Sequence, residues 1–234
     1  MRWFRLGGSD DPTPQTSGPK GMDRGRRIGI ALGLIMYRLD TRGMHRLPTT
    51  GPVVVVANHQ NFMDGAVLFG ALTRRVSFLV KAEAVKGPLG WLLINVGQYA
   101  LIRGVPDREP LLKALAQLKT GGAIGIFPEG TRGAGNVDTV FAGAGWLAAR
   151  AGAAVVPVAI RGTDRPAGRK RRRFRPPVHV LVGDPFSVQQ GGGRQTVSAA
   201  TDAIREHLAA LVTTLDAEIA LGSVSSYTST RTNQ

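Results

Sequence analysis

Gly51-Pro52-Val53-Val54-Val55-Val56-Ala57-Asn58-His59-Gln60-Asn61-Phe62-Met63-Asp64 is the stretch on which the fold turns. A proline-started run of four valines predicts a short strand buried on both faces, the kind found inside a parallel sheet. The run ends in Asn58-His59, and Asp64 follows five residues after the histidine. Open α/β sheets bind their ligands at the carboxyl ends of strands. A histidine beside a carboxylate is there the minimal general-base unit: the carboxylate fixes the tautomer and the other ring nitrogen takes a proton. The alternative is a polar strand end capping the next helix, with Asp64 near its first turn.

Ala123-Ile124-Gly125-Ile126-Phe127 is a second apolar run, and it stops in Pro128-Glu129-Gly130-Thr131-Arg132. Between the two lie further strand readings, Val76–Val80 closed by Lys81-Ala82-Glu83, and Tyr99–Gly104 ending in Arg103. Helical spacing is expected over Gly65–Leu72, in a short piece from Pro88 to Val96, and from Pro106 or Asp107 to Lys119, where Gly121-Gly122 end it. Beyond the second motif, Phe141–Arg150 reads as a helix, and Val155–Ile160 and Val178–Gly183 as strands. Thr196–Leu221 reads as a long amphipathic helix whose stripe packs on the sheet. The whole is a single α/β domain with a mostly parallel central sheet flanked by helices.

In such a sheet Arg103 and Arg132, both closing apolar strands, emerge on the side of His59. Arginine suits bidentate phosphate recognition, and a glycine such as Gly130 lets backbone N–H groups turn toward an anion.

Composition narrows the chemistry. There are no cysteines among the 234 residues, which excludes disulfides and thiolate nucleophiles, and four scattered histidines offer no metal spacing. No metal and no cofactor are expected. A formal charge of +14 implies a polyanionic partner. Aromatics at 6% and the lack of any nucleic-acid-binding pattern argue against nucleic acid and leave an anionic membrane surface or a phosphorylated substrate. Two segments suit such a surface. Ile28–Tyr37 is a ten-residue apolar run with basic flanks, too short to span a bilayer and suited to an interfacial helix, or else to packing on the core. From Arg165 to Arg175, seven of eleven residues are basic; such a loop is a solvated charge run, a phosphate contact or a nucleic-acid arm. The expected organisation is a flexible leader 1–21, a basic and apolar membrane-associating helix 22–41, a main domain 42–222 and a flexible tail 223–234.

Asn-His-x4-Asp followed, about two βα units later, by Phe-Pro-Glu-Gly-Thr-Arg resembles the glycerolipid acyltransferase family, typified by 1-acylglycerol-3-phosphate acyltransferases, from about Arg42 to Phe186. The resemblance implies that His59 and Asp64 are catalytic. It implies that Arg103, Glu129, Gly130, Thr131 and Arg132 bind the acceptor's phosphate. It further implies O-acyl transfer from acyl-CoA or acyl carrier protein to a lysophospholipid hydroxyl, by an enzyme peripheral to the cytoplasmic face of the cell membrane. No Gly-x-Ser-x-Gly elbow and no cysteine are present, so the acceptor alkoxide attacks the thioester directly. The sequence departs from the family at Asn61, at Ala84 and at Phe141-Ala142-Gly143-Ala144, which usually reads Phe-Lys-x-Gly. The missing lysine leaves another phospholipid, glycolipid or lysolipid acceptor open. A binding protein reusing the fold, and a hydrolase weakened by the absent elbow, are the readings from other classes.

Overall fold

The valine run forms β2 (Val53–Ala57), and every residue in it is buried. The structure, a computed structural model, describes residues 35–81, 97–101, 109–130, 133–164 and 174–231, with side chains as far as residue 222 and that of Leu101 excepted. β2 pairs in parallel with β5 (Ala123–Ile126) on one side and β6 (Ala154–Arg161) on the other. Valines suit this position because a branched side chain packs well on both pleated faces of an interior strand.

Among the described residues seven strands form one sheet in the order β1-β7-β6-β2-β5-β3-β4. The others are β1 (Arg38–Arg42), β3 (Ser77–Lys81), β4 (Tyr99–Leu101) and β7 (Pro177–Val182). All pairings are parallel except β6 with β7. The mostly parallel α/β domain read from the sequence is therefore the observed one.

Alternate valines feed two cores. Val53 and Val55 join Val67, Leu68 and Leu72 of the α1 region (helix Met63–Ala71) on one face. Val54 and Val56 join α2 (Glu109–Lys119), α3 (Gly143–Ala151) and α4 (Arg194–Arg231) through Leu118, Leu147 and Ile204 on the other. Burying a valine fully is worth about 1.5–3 kcal/mol, so this strand is a major source of stability. The α4 stripe continues through Leu208, Val212 and Leu215, all buried against Ala159 and Leu181. It packs on the sheet, as the helical spacing implied.

Several bounds differ from expectation. The stretch 22–41, read as one helix, contains edge strand β1, and Tyr37 is fully buried rather than lying at an interface. Residues 28–34 lie outside the described ones. Between β1 and β2 the chain makes a short 3-10 turn, Met44–Arg46. α3 starts at Gly143, two residues later than expected, and the Phe141 N–H bonds the Pro128 carbonyl at 2.8 Å. α4 runs to Arg231, into the stretch read as a loose tail, with no proline to stop it. The helix expected over Pro88–Val96 lies outside the described residues.

Because β7 runs antiparallel to β6 and β1 runs parallel to β7, both β1 and β7 begin at the edge where β2 and β6 end. No helix among the described residues is long and apolar enough to cross a membrane.

Candidate active site

His59 leaves the carboxyl end of β2, and Asp64 lies in the first turn of α1. The turn between them brings the His59 Nδ1 to 2.9 Å from Asp64 Oδ2. That same oxygen accepts the backbone N–H groups of Gln60 and Asn61, each at 2.7 Å. The other oxygen, Oδ1, accepts the hydroxyl of Thr163. Asp64 is fully buried, so these four donors stand in for water. A carboxylate only accepts; the proton therefore sits on Nδ1, and Nε2 is the ring nitrogen able to take another. The histidine side chain is 18% exposed, partly open to a reactant.

The imidazole is held face-on as well. Phe127 stacks on it with centroids 4.2 Å apart, and Phe78 backs Phe127 at 5.5 Å. Two aromatic rings in series restrict the ring's rotation while Asp64 fixes its edge.

The second motif meets the first through Glu129. Its Oε1 accepts the backbone N–H of His59 at 2.9 Å. Burial pushes this carboxyl above the usual range, partly offset by the N–H groups of His59 and Val137 and by the positive charge of Arg161. Gly130, at φ 69°, closes the turn with its N–H on the Phe127 carbonyl at 3.0 Å. Glu129 was expected beside the acceptor's phosphate, but its bonded oxygen faces the protein's own backbone. A carboxylate is in any case a poor neighbour for phosphate, since like charges repel. Thr131, Arg132 and Arg103 lie outside the described residues. Lys81 ends β3 and is exposed.

The chain after the motif folds back over the pair. The Gly133 N–H bonds the His59 carbonyl at 3.1 Å, and Gln60 Nε2 bonds the Ala134 carbonyl at 3.1 Å. Arg161, at the end of β6, donates through Nη1 to the carbonyls of Ala134 and Gly135 at 3.3 and 3.1 Å. Its Nε and Nη2 grip Asp216 of α4 at 2.7 and 2.8 Å. α4 thus supports the loop that covers the site.

Three residues at the site had no role in the sequence reading. Asn58, fully buried, joins β2 to β6 through its amide. Thr163 and Arg161 arrive from far along the chain. Their only local signal is a polar Arg-Gly-Thr ending an apolar strand. Among the described residues, no group of three or more His, Cys, Asp or Glu side chains is arranged to hold a metal ion.

Comparison with known proteins agrees with this layout. The chain is 32% identical over 157 residues to the chloroplast 1-acyl-sn-glycerol-3-phosphate acyltransferase LPAT1 of Arabidopsis thaliana, covering 64% of this chain and 44% of that protein. It is 34% identical over 184 residues to a 1-acyl-sn-glycerol-3-phosphate acyltransferase of Chlamydomonas reinhardtii, covering 74% and 53%. The chain thus spans about half the length of these curated relatives. The crystal structure of the 1-acyl-sn-glycerophosphate acyltransferase PlsC from Thermotoga maritima superposes with a TM-score of 0.61 at 24% identity, covering 81% of this chain and 79% of that one; the two share a fold. The sequence profile of the Acyltransferase family matches residues 38–161, a segment that holds both strand-end motifs. With both strand-end motifs inside the matched segment, the chain belongs to the Acyltransferase family.

Proposed function

We propose that the protein transfers a fatty acyl group from a thioester, acyl-CoA or acyl carrier protein, to the free hydroxyl of a lysophospholipid, with 1-acylglycerol-3-phosphate as acceptor and phosphatidic acid as product. The observation that carries this reading is the His59–Asp64 contact, with Nδ1 bound and the ring edge partly open. Support for the acceptor comes from the names of the relatives, which are 1-acyl-sn-glycerol-3-phosphate acyltransferases.

In this mechanism His59 Nε2 removes the hydroxyl proton as the oxygen attacks the thioester carbonyl. Asp64 stabilises the imidazolium that forms. Collapse of the tetrahedral intermediate breaks the C–S bond, and the thiolate leaves as thiol with the proton His59 carried. Arg103, Thr131 and Arg132, with the Gly130 backbone, bind the acceptor's phosphate, while Glu129 braces the histidine from behind. Docking is peripheral, on an anionic and cytoplasmic membrane face. Ile35 and Phe174, 66% and 91% exposed, flank the catalytic-side ends of β1 and β7, and the basic stretch 165–173 joins Asp164 to Phe174. Apolar side chains beside a polybasic segment form the two-signal combination that reversible attachment needs.

A second acceptor within the same family is favoured by one observation. Ala142 stands where the family carries a lysine, which removes a cation from the turn that touches Pro128. Thiol release from acyl-CoA, measured without acceptor and with a panel of lysophospholipids, tests the proposal. Acceptor-dependent release with 1-acylglycerol-3-phosphate supports it. Release only with a neutral or zwitterionic acceptor would move the assignment to the second reading. Equal release without acceptor would indicate a hydrolase.

A further inference from the structure

Asp64 and Thr163 lie 99 residues apart and meet in the interior. Asp64 is fully buried and Thr163 is 3% exposed, so both are shielded from bulk water. The carboxylate is bonded unevenly. Oδ2 takes three N–H donors, from the His59 ring and from the Gln60 and Asn61 backbone. The bond that the structure shows to Oδ1 comes from the Thr163 hydroxyl. Removing that hydroxyl leaves a charged, buried oxygen unpaired, and rotation of the carboxylate about its Cβ–Cγ bond becomes its way of seeking relief. Such a rotation carries Oδ2 out of line with the imidazole.

The same strand end holds the pair a second time. Ile160, three residues before Thr163, exchanges two hydrogen bonds with the side chain of Asn58, the neighbour of His59. The end of β6 thus grips the His strand at Asn58 and the Asp helix at Asp64. Two elements that are contiguous in sequence, β2 and α1, are set against each other by a third that is remote.

We propose that Thr163 is a positioning residue for acyl transfer, and that its hydroxyl fixes the rotation of the Asp64 carboxylate so that Oδ2 accepts the hydrogen bond from the His59 Nδ1–H. The proposal rests on the acyl-transfer reading for its kinetic consequence but not for its geometric one. Thr163 touches no reacting atom and acts only through Asp64.

The test compares Thr163→Val, which keeps the shape and loses the donor, with Thr163→Ser, which keeps the donor. In acyl-CoA thiol release with 1-acylglycerol-3-phosphate, Thr163→Val is expected to lower kcat about 10- to 100-fold, in line with losing one bond to a buried charged group. KM for both substrates is expected to stay within about twofold, and Thr163→Ser to stay within about threefold of the parent in kcat. In an Asp64→Asn background the further change to Val is expected to cost less than about threefold, because the carboxylate it serves is gone. An equal loss in both backgrounds would overturn the proposal, as would a kcat for Thr163→Val within twofold of the parent or a Ser variant as impaired as Val. Proton NMR of the full chain supplies a readout independent of substrate. The downfield His59 Nδ1–H signal, assigned with His59→Asn, is expected in the parent and in Thr163→Ser and is expected to shift or broaden in Thr163→Val. An unchanged signal in the folded Val variant would overturn the proposal. If the parent turns over none of the acceptors while the signal behaves as expected, the substrate assignment fails and the positioning role stands. Should Thr163→Val not fold, Thr163→Ser and Thr163→Cys, whose thiol is a weaker donor, replace it: a graded signal and kcat in the order Thr, Ser, Cys supports the role, and no gradation overturns it.

Discussion

Asn58 and Ile160 exchange hydrogen bonds in both directions: the Asn58 Nδ2 donates to the Ile160 carbonyl at 3.1 Å, and the Ile160 N–H donates to Asn58 Oδ1 at 2.8 Å. The side-chain amide here imitates a backbone peptide. It continues the β2–β6 ladder past its last paired residues, Ala57 and Val158, just as β2 turns away to present His59. An amide is suited to this because it offers a donor and an acceptor side by side.

Replacing Asn58 by Ala is therefore expected to strand two buried backbone groups. The expected loss is about 2–6 kcal/mol, since each unpaired buried group costs about 1–3 kcal/mol. Asn58→Asp is expected to be no better, because a carboxylate cannot donate to the Ile160 carbonyl. A lowered urea midpoint with an unchanged m-value checks both.

His59→Ala is expected to fold and to lose acyl transfer by about two to four powers of ten, because the proton acceptor alone is removed. Asp64→Asn acts in the same direction through the tautomer. Near-parent turnover by purified His59→Ala would exclude the general-base mechanism.

Arg103→Ala and Arg132→Ala are expected to raise KM for a phosphorylated acceptor by about tenfold or more, with KM for acyl-CoA little changed. A charge-assisted bond to phosphate of about 1.5–3 kcal/mol sets that size. Kinetics with each substrate varied in turn check it. The reverse pattern would place both arginines at the donor.

Glu129 carries a pH signature. Burial raises its carboxyl above 4.5 in the folded protein, so across the interval starting there the folded state holds a proton that the unfolded chain has released. Stability from this group is complete below pH about 4.5 and is lost as pH rises through the folded value. Glu129→Gln keeps an oxygen for the His59 N–H and removes the titration. Its urea midpoint is expected to gain on that of the parent as pH rises from 4 toward 7. Parallel midpoint curves across that range would count against the burial effect.

Gly135 sits at φ 68°, and a Cβ there would lie 2.7 Å from Gln60 Cγ, 2.8 Å from Arg161 Nη1 and 2.8 Å from Asn58 Nδ2. The left-handed backbone alone costs a side chain about 1–2 kcal/mol. Gly135→Ala is expected to destabilise by at least about 2 kcal/mol and to lower activity as well, because the crowded atoms all support the site. Thermal unfolding and thiol release measure the two effects.

The sequence by itself determined the parts of this protein that depend on neighbours along the chain. Val53–Val56 specify a strand buried on both faces, and the five-residue step from His59 to Asp64 spans one turn into a helix, so the contact between the two side chains was legible before any fold was known. The alternation of the valines, the spacing of the α4 stripe and the stop at Pro128-Glu129-Gly130 are likewise local signals. What surrounds the pair was decided by tertiary structure alone. Thr163 and Arg161 reach the site only because β6 is placed beside β2, and their bonds to Asp64 and Ala134 cross 99 and 27 residues. The bond from the His59 N–H to Glu129 exists only because the turn after β5 lies beside the end of β2, 70 residues away in sequence. The antiparallel entry of β7, which brings Phe174 and Ile35 to the sheet edge where β2 ends, leaves no trace in the strand's own residues. Periodicity records which face of an element is buried. The partner that satisfies a buried carboxylate is whichever donor the fold delivers within about 3 Å, and that delivery is a long-range event.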